Sequence, residues 1–234
     1  ELNRLKNQFI QLTSHEFRTP MASIYTSMDV MKHYLENEDS INFKRVFERH
    51  YTNVIKEISR LEKTMNHILI LGRHDSEKTN FKAETTDLIK LIKTIIHEDL
   101  LAHEGRKVKL TFKGKPRMIG LDSNCMHFII TNLLDNAFKF GRPNEVPRVC
   151  LWFKKNAVSL SVEDSGIGIP SEEIHRLFDS FYRASNADCI GGTGLGLVVV
   201  KKLTELHGGK VDVKSELNQG SLFTITLPNC THEE

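Results

Sequence analysis

The stretch of this chain best equipped for chemistry is Ser14-His-Glu-Phe-Arg-Thr-Pro20. It lies within an apolar repeat at Leu2, Leu5, Phe9, Leu12, Phe17, Met21, Ile24, Met28, Met31 and Leu35, whose intervals of mostly three and four describe a helix. His15 falls off that stripe and is expected to point outward. Thr19, one turn on, shares its face, while Glu16 is rotated away by about 100°. Pro20 has no amide hydrogen and its ring crowds the carbonyl of Glu16, so the helix is expected to bend or loosen just after the histidine. A bend beside an exposed His–Glu pair suits chemistry better than stability. A surface histidine is nevertheless usually just solvated, and with eleven histidines in the chain this heptapeptide does not decide the matter alone.

A second group of candidates lies far downstream. Asn132, Asn136 and Lys139 share one face of a predicted helix over Ser123–Phe140, and asparagine is a mediocre helix former. Two amides and an ammonium at that spacing suit oxygen ligation of a metal and contact with phosphates, although a plain polar face is equally compatible. Mg²⁺ keeps several waters, so one protein amide oxygen suffices for it. In Val158-Ser-Leu-Ser-Val-Glu-Asp164 the alternation of Val158, Leu160 and Val162 puts Asp164 on the buried side of a strand, where its carboxylate needs a donor such as an adenine amine. Gly166 and Gly168 then allow a sharp turn and the close approach of a flat ring. Gly191-Gly-Thr-Gly-Leu-Gly-Leu197 feeds an apolar helix, a phosphate-binding arrangement. It lacks the Gly-Lys-Ser/Thr of a Walker loop and the preceding strand of a dinucleotide fingerprint. Between the two glycine runs, Leu177–Ala184 and Ser185–Ile190 read as a cover over a nucleotide. Arg183 in that cover is either a phosphate contact or an ordinary surface arginine.

These groups need scaffolds to hold them. With 234 residues the chain can bury a sizeable core in one large or two modest domains. A formal charge of +2 with no basic run argues against nucleic acid as a partner. Four scattered cysteines, Cys125, Cys150, Cys189 and Cys230, show no metal-like spacing and fit a reduced, cytoplasmic compartment. No apolar run approaches the ~20 residues of a membrane span, so no membrane contact is expected of this stretch. The helical repeat is already running at Leu2, and the chain is read as a fragment whose first helix continues upstream, toward a sensor or a membrane anchor.

Residues 1–73 read as a helical hairpin. Its second helix carries Phe43, Val46, Phe47, Tyr51, Val54, Ile55, Ile58, Leu61, Met65, Ile68 and Leu69. Two helices cannot hide such wide apolar faces alone, and pairing two copies into a four-helix bundle is the expected remedy, hence a homodimer. Residues 74–80 read as a linker. Residues 81–230 alternate between helical and strand periodicity, predicting an α/β two-layer sandwich. Within it, helices are predicted over Leu88–Leu101, Ser171–Phe178 and Gly194–Leu206, and strands near Val108–Phe112, Met118–Leu121, Val149–Phe153, Val158–Val162, Val211–Val213 and Phe223–Leu227.

With these motifs assembled, nearly the whole chain resembles the catalytic core of a sensor histidine kinase. The family's phosphoacceptor box (Ser14–Pro20), asparagine box (Asn132–Phe140), first glycine box (Asp164–Gly168), phenylalanine box (Phe178–Phe181) and second glycine box (Gly192–Gly196) occur here in the family's order, followed by His207-Gly-Gly209. The resemblance implies that His15 accepts the phosphoryl group and that Glu16 takes its proton. It implies that Asn136 ligates Mg²⁺ with Asn132 alongside, that Lys139 touches phosphate, that Phe140 packs near adenine, and that Asp164 meets the adenine amine. Gly166 and Gly168 would flank the base; Gly192, Thr193, Gly194, Leu195 and Gly196 would cradle the phosphates. Thr19 completes an acidic-x-x-Thr phosphatase pattern with Glu16.

The expected activity is ATP-dependent autophosphorylation of His15, then transfer to an aspartate of a response regulator receiver domain, with phosphatase activity toward the same partner. Degenerate nucleotide-binding scaffolds, ATPases of the topoisomerase, mismatch-repair or chaperone kind, and a phosphatase-dominant kinase relative are the alternatives. Cys189, in the cover, is read as a passive small side chain rather than a redox switch.

Overall fold

The computed structural model describes residues 2–36, 40–72, 81–102, 106–187 and 190–229. The chain divides into two compact units between Gly72 and Arg73. The expected linker over residues 74–80, Cys189 and Cys230 lie outside the described residues.

The first unit is an α-helical hairpin of α1 (Leu2–Glu36) and α2 (Ser40–Gly72). Helical geometry continues through Pro20, which is buried, so the expected loosening after His15 does not break the helix. Polar side chains meet between the two helices. Asn53 Nδ2 donates to Ser23 Oγ at 3.1 Å and to Ser27 Oγ at 2.9 Å across the hairpin. Ser27, Thr64 and His67 are buried, whereas Leu12, Met21, Tyr25, Met28, Leu35, Tyr51, Ile55, Ile58, Met65 and Leu69 are exposed. Hydrophobic periodicity thus specified helices correctly, yet much of the apolar surface faces out of the hairpin.

The second unit is built on a five-stranded sheet. Its strands are β2 (Lys109–Lys113), β4 (Arg148–Phe153), β5 (Ala157–Asp164), β6 (Lys210–Glu216) and β7 (Gly220–Pro228), in the order β2-β4-β5-β7-β6. The β2–β4 pair is parallel and the others are antiparallel. A small ribbon pairs β1 (Glu84–Thr86) with β3 (Ile119–Leu121). Helices α3 (Leu88–Ala102), α4 (Ser123–Phe140) and α5 (Gly196–Leu206) form the second layer. Alternation along the strands supplies one side of the core, with Val149, Leu151, Val158, Leu160, Val162 and Ile225 buried. The helices bury Ile92, Met126, Ile129, Ile130, Leu133, Val199, Val200 and Leu203. Leu121 and Leu195 are completely buried and fix the approaches to α4 and α5.

Two local predictions change. The segment after Pro170 is a short 3₁₀ helix, Ser171–Arg176, followed by turns, not a helix to Phe178. Helix α5 begins at Gly196, because Gly192 and Gly194 adopt positive φ (153° and 68°) incompatible with an α-helix. Among the described residues no helix is long and apolar enough to cross a membrane.

Candidate functional site

In the helical unit, His15 and Thr19 are exposed and Glu16 is half-buried, as their positions around α1 require. Thr19 Oγ1 donates to the His15 carbonyl at 3.4 Å, and Ser14 Oγ donates to that of Ile10 at 2.8 Å. Glu16 is directed toward α2, where its Oε2 lies 3.7 Å from Arg60 Nη2. Arg60 Nη1 in turn lies 3.8 Å from Glu57 Oε2. Nothing in the local sequence around His15 signals Arg60; only the pairing of the two helices brings it there.

In the α/β unit Asn132, Lys139, Asp164 and the glycine runs lie where α4, the end of β5 and the turn that starts α5 meet. Helix α4 is fixed at its start by Asp122, whose Oδ1 accepts from the amides of Asn124 (2.9 Å) and Cys125 (3.0 Å) while Oδ2 accepts from that of Lys82 (3.0 Å). Asn132 is buried and its Nδ2 donates to the Phe128 carbonyl at 2.7 Å. That leaves Oδ1 facing the glycine turn, where a Cβ at Gly196 would lie only 2.8 Å from it. One turn on, Asn136 is half-buried. Lys139 Nζ sits 4.5 Å from the Phe140 ring centroid, and a Cβ at Gly192 would come within 2.4 Å of it. Both glycines therefore let the turn approach the polar face of α4 closely.

Asp164 ends β5 with its carboxylate buried. Oδ1 accepts from the Gly166 amide at 2.8 Å. Burial pushes this carboxyl above its ordinary 3.8, opposed by the amides of Gly166 and Ser221 and reinforced by the charge of Glu163. A carboxylate has more acceptor sites than these two amides fill, so capacity remains for a ligand N–H. Gly166 cannot be larger: a Cβ there would meet the Phe140 carbonyl oxygen at 2.0 Å. The Ile167 amide donates to that same oxygen at 3.1 Å, joining the end of β5 to the end of α4. Gly168 has φ +64°, and a Cβ would meet the Glu216 carbonyl at 2.0 Å.

The second glycine run is held from below. Gly194 has φ +68°, a Cβ there would lie 2.6 Å from the Phe181 backbone, and the Phe181 amide donates to the Gly194 carbonyl at 3.1 Å. Phe181 itself has φ 63°. The Leu195 amide donates to Thr193 Oγ1 at 3.3 Å. Arg183 spends hydrogen bonds on the carbonyls of Ala187 and Ile190 (2.8 Å to the latter), and so organises the cover segment. Glu173 accepts from the Ser185 amide (2.9 Å) and hydroxyl (2.6 Å), and Asn186 Nδ2 donates to the Gly168 carbonyl at 2.9 Å.

His207 contributes from behind this junction. Its Nε2 accepts from the Asp122 amide at 3.1 Å, so the proton is on Nδ1, which donates to the Leu203 carbonyl at 2.7 Å. The Phe81 ring meets it edge-on, centroids 4.7 Å apart. Burial lowers the affinity of this imidazole for a second proton, partly offset by the Leu203 carbonyl and the Asp122 charge. The sequence marks His207 only by the glycines after it, and its role in fixing the start of α4 depends on the fold.

The arrangement has a buried carboxylate with acceptor capacity for an exocyclic amine and a lysine at the glycine turn, as an adenine nucleotide requires. One amide oxygen of α4 would suffice for a phosphate-bound Mg²⁺, which keeps several waters. No cluster of three or more His, Cys, Asp or Glu side chains suited to a metal occurs among the described residues.

Residues 121–231 match the family model described as Histidine kinase-, DNA gyrase B-, and HSP90-like ATPase. The sensor protein RprX of Bacteroides fragilis is 32% identical over 97% of this chain and 44% of its own length. The sensor protein SrrB of Staphylococcus aureus is 31% identical over 97% of this chain and 39% of its own. The chain thus spans less than half the length of these relatives. The fold is similar to that of the histidine kinase ThkA, solved in complex with the response regulator TrrA. That match has a TM-score of 0.70 and 20% identity, and covers 99% of this chain and 65% of the other.

Proposed function

We propose, from the premise that the chain belongs to the sensor histidine kinases and forms their catalytic core, that it uses ATP to phosphorylate its own His15 and passes the phosphoryl group to an aspartate of a response regulator. The observation that carries this reading is the convergence of Asn132, Lys139, Asp164 and both glycine runs at one junction, in a chain that also exposes His15 beside Glu16.

Asp164 selects the base by accepting from its amine, and the amides around Gly166 and Gly194 let ring and phosphates approach closely. Lys139 offsets phosphate charge. Asn136, with Asn132 alongside, would hold Mg²⁺, which supplies charge neutralisation to the transferring phosphoryl group. The imidazole of His15 is exposed on α1. One ring nitrogen attacks the γ-phosphorus, the bond to the ADP oxygen breaks, and the proton on the other nitrogen passes to Glu16. The receiver aspartate then attacks the same phosphorus, the N–P bond breaks, and His15 recovers its proton. Thr19, on the His15 face, would direct a water onto the receiver's aspartyl phosphate in the phosphatase reaction, releasing inorganic phosphate and restoring the aspartate.

The exposed apolar faces of α1 and α2 favour a homodimer in which two hairpins close a four-helix bundle. A cytoplasmic setting follows from the nucleotide requirement, with any membrane anchor lying in other parts of the protein.

Incubation with γ-labelled ATP and Mg²⁺ tests the core of this reading. Acid-labile, alkali-stable label is expected on the wild type and none on His15→Gln, which still binds ATP. Label persisting on His15→Gln refutes the assignment.

A further inference from the structure

The reaction above requires Glu16 to be ionised and aimed at the moment the imidazole loses its proton, yet the side chain is not left to solvent. Its Oε2 is shut off from water and has no hydrogen-bond partner among the described residues, and the same holds for Glu57 Oε2 and the Thr13 hydroxyl. The level of the hairpin below His15 thus holds two carboxylates, each with one oxygen out of contact with water. The cation between them is Arg60, at 3.7 Å from one and 3.8 Å from the other. Its backbone is steadied by Thr64, whose Oγ1 donates to the Arg60 carbonyl at 2.9 Å.

We infer that Arg60, shared between Glu16 and Glu57 across the helix pair, is a positioning residue that sets the charge and the aim of the proton acceptor. The inference rests on the proposed role of Glu16 and adds two residues to it. Both distances exceed hydrogen-bond length, so Arg60 acts through its charge and leaves Glu16 oxygens uncommitted for the His15 ring. Two carboxylates gathered around one guanidinium would, without that cation, repel each other and favour the proton-bound form of either one. Arg60 prevents that. Glu57 acts in the opposite sense. An arginine devoted to Glu16 alone would stabilise the carboxylate too well and make it a poor proton acceptor. Sharing leaves the triad with one net negative charge, which is the charge an acceptor needs.

Initial rates of autophosphorylation at saturating ATP, measured from pH 6 to 9, separate this role from a structural one. Arg60→Gln is expected to be on the order of tenfold slower at pH 7, a fraction of the ~10²–10⁴ available to general base catalysis. KM for ATP should be unchanged, because Arg60 belongs to the helical unit. The deficit should shrink as pH rises and Glu16 ionises, displacing the acid limb upward by about one pH unit. Arg60→Lys should restore much of the rate, and Glu57→Gln should slow the reaction with the opposite pH dependence, its deficit not shrinking as pH rises. A deficit equal at all pH values, or wild-type rates in Arg60→Gln, overturns the inference. Glu16→Gln, run in parallel, isolates the underlying reading: if it labels at the wild-type rate, the assignment of Glu16 fails first. If Glu16→Gln is inactive while Arg60→Gln matches wild type, only the triad fails. Circular dichroism melting of each variant identifies any loss due to unfolding, and Arg60→Lys carries the test if Arg60→Gln does not fold.

Discussion

Replacing Asp164 by asparagine should make the nucleotide-free protein more stable and the nucleotide-bound protein less so. In the wild type the carboxyl is buried at the end of β5, and burial is the largest influence on it. Its folded-state pKa is raised, so the native state binds the proton more tightly than the unfolded chain does. The associated stability is therefore fully present below the ordinary 3.8 and is lost as pH rises through the folded value. At neutral pH the folded apo protein bears the full cost of a buried charge.

Asparagine removes that charge while its carbonyl oxygen still accepts from the Gly166 amide, which lies 2.8 Å from Oδ1 in the wild type. Its NH₂ group, however, would then face the adenine amine, donor against donor. Losing a charge-assisted hydrogen bond and leaving a ligand N–H unpaired costs about 2–3 kcal/mol, or roughly 30- to 150-fold in Kd. Thermal melting with and without Mg-ATP reads both effects. At an ATP concentration of ~100 Kd the wild type gains about 2.7 kcal/mol from the ligand, and a variant binding ~100-fold more weakly gains only about 0.4 kcal/mol. The apo Tm should rise and the ATP-induced shift should nearly vanish. A lower apo Tm would show that Asp164 is not held at a cost, and an undiminished ATP shift would remove it from the base-recognition role.

Two further outcomes follow from the supports of this junction. His207 is held neutral, so stability is present above its ordinary 6.5 and falls as pH drops below that value; replacing it with glutamine should flatten this part of the stability–pH curve measured by urea titration, and an unchanged curve would rule out His207 as its source. Gly168→Ala combines φ +64° with a Cβ 2.0 Å from the Glu216 carbonyl, which should cost about 2 kcal/mol or more by denaturant titration; a loss under about 0.5 kcal/mol would contradict the geometry.

The parts of this molecule that were legible in the sequence are those governed by local periodicity. The alternation Val158, Leu160, Val162 carries directly into the burial of Asp164, and the i, i+4 spacing of Asn132 and Asn136 carries into one face of α4. Glycines at 192 and 194 announced a turn, and the turn delays the start of α5. What escaped depends on contacts between distant segments. Strand β1 is three residues long and exists through its pairing with β3, too short to show alternation. The carbonyls that Arg183 satisfies and the amide that His207 satisfies are backbone groups, whose positions no side-chain pattern encodes. Arg60 lies 44 positions after Glu16, and nothing short of the register between α1 and α2 could pair them.

That register is fixed in an unusual way. In most helix pairs interlocking apolar side chains provide both cohesion and alignment, so sliding one helix opens voids and meets a steep penalty. Here the inward-facing contacts of Asn53 with Ser23 and Ser27 are directional but exchangeable with water. Half-buried apolar side chains such as Ile24, Met31, Val54 and Leu61 supply cohesion alongside these polar contacts. A displacement of α1 along its axis would break two identifiable bonds and would carry Glu16 past Arg60 by the same distance. An axial push or pull arriving from upstream would thus be felt first as a change in the charge surrounding the residue beside His15.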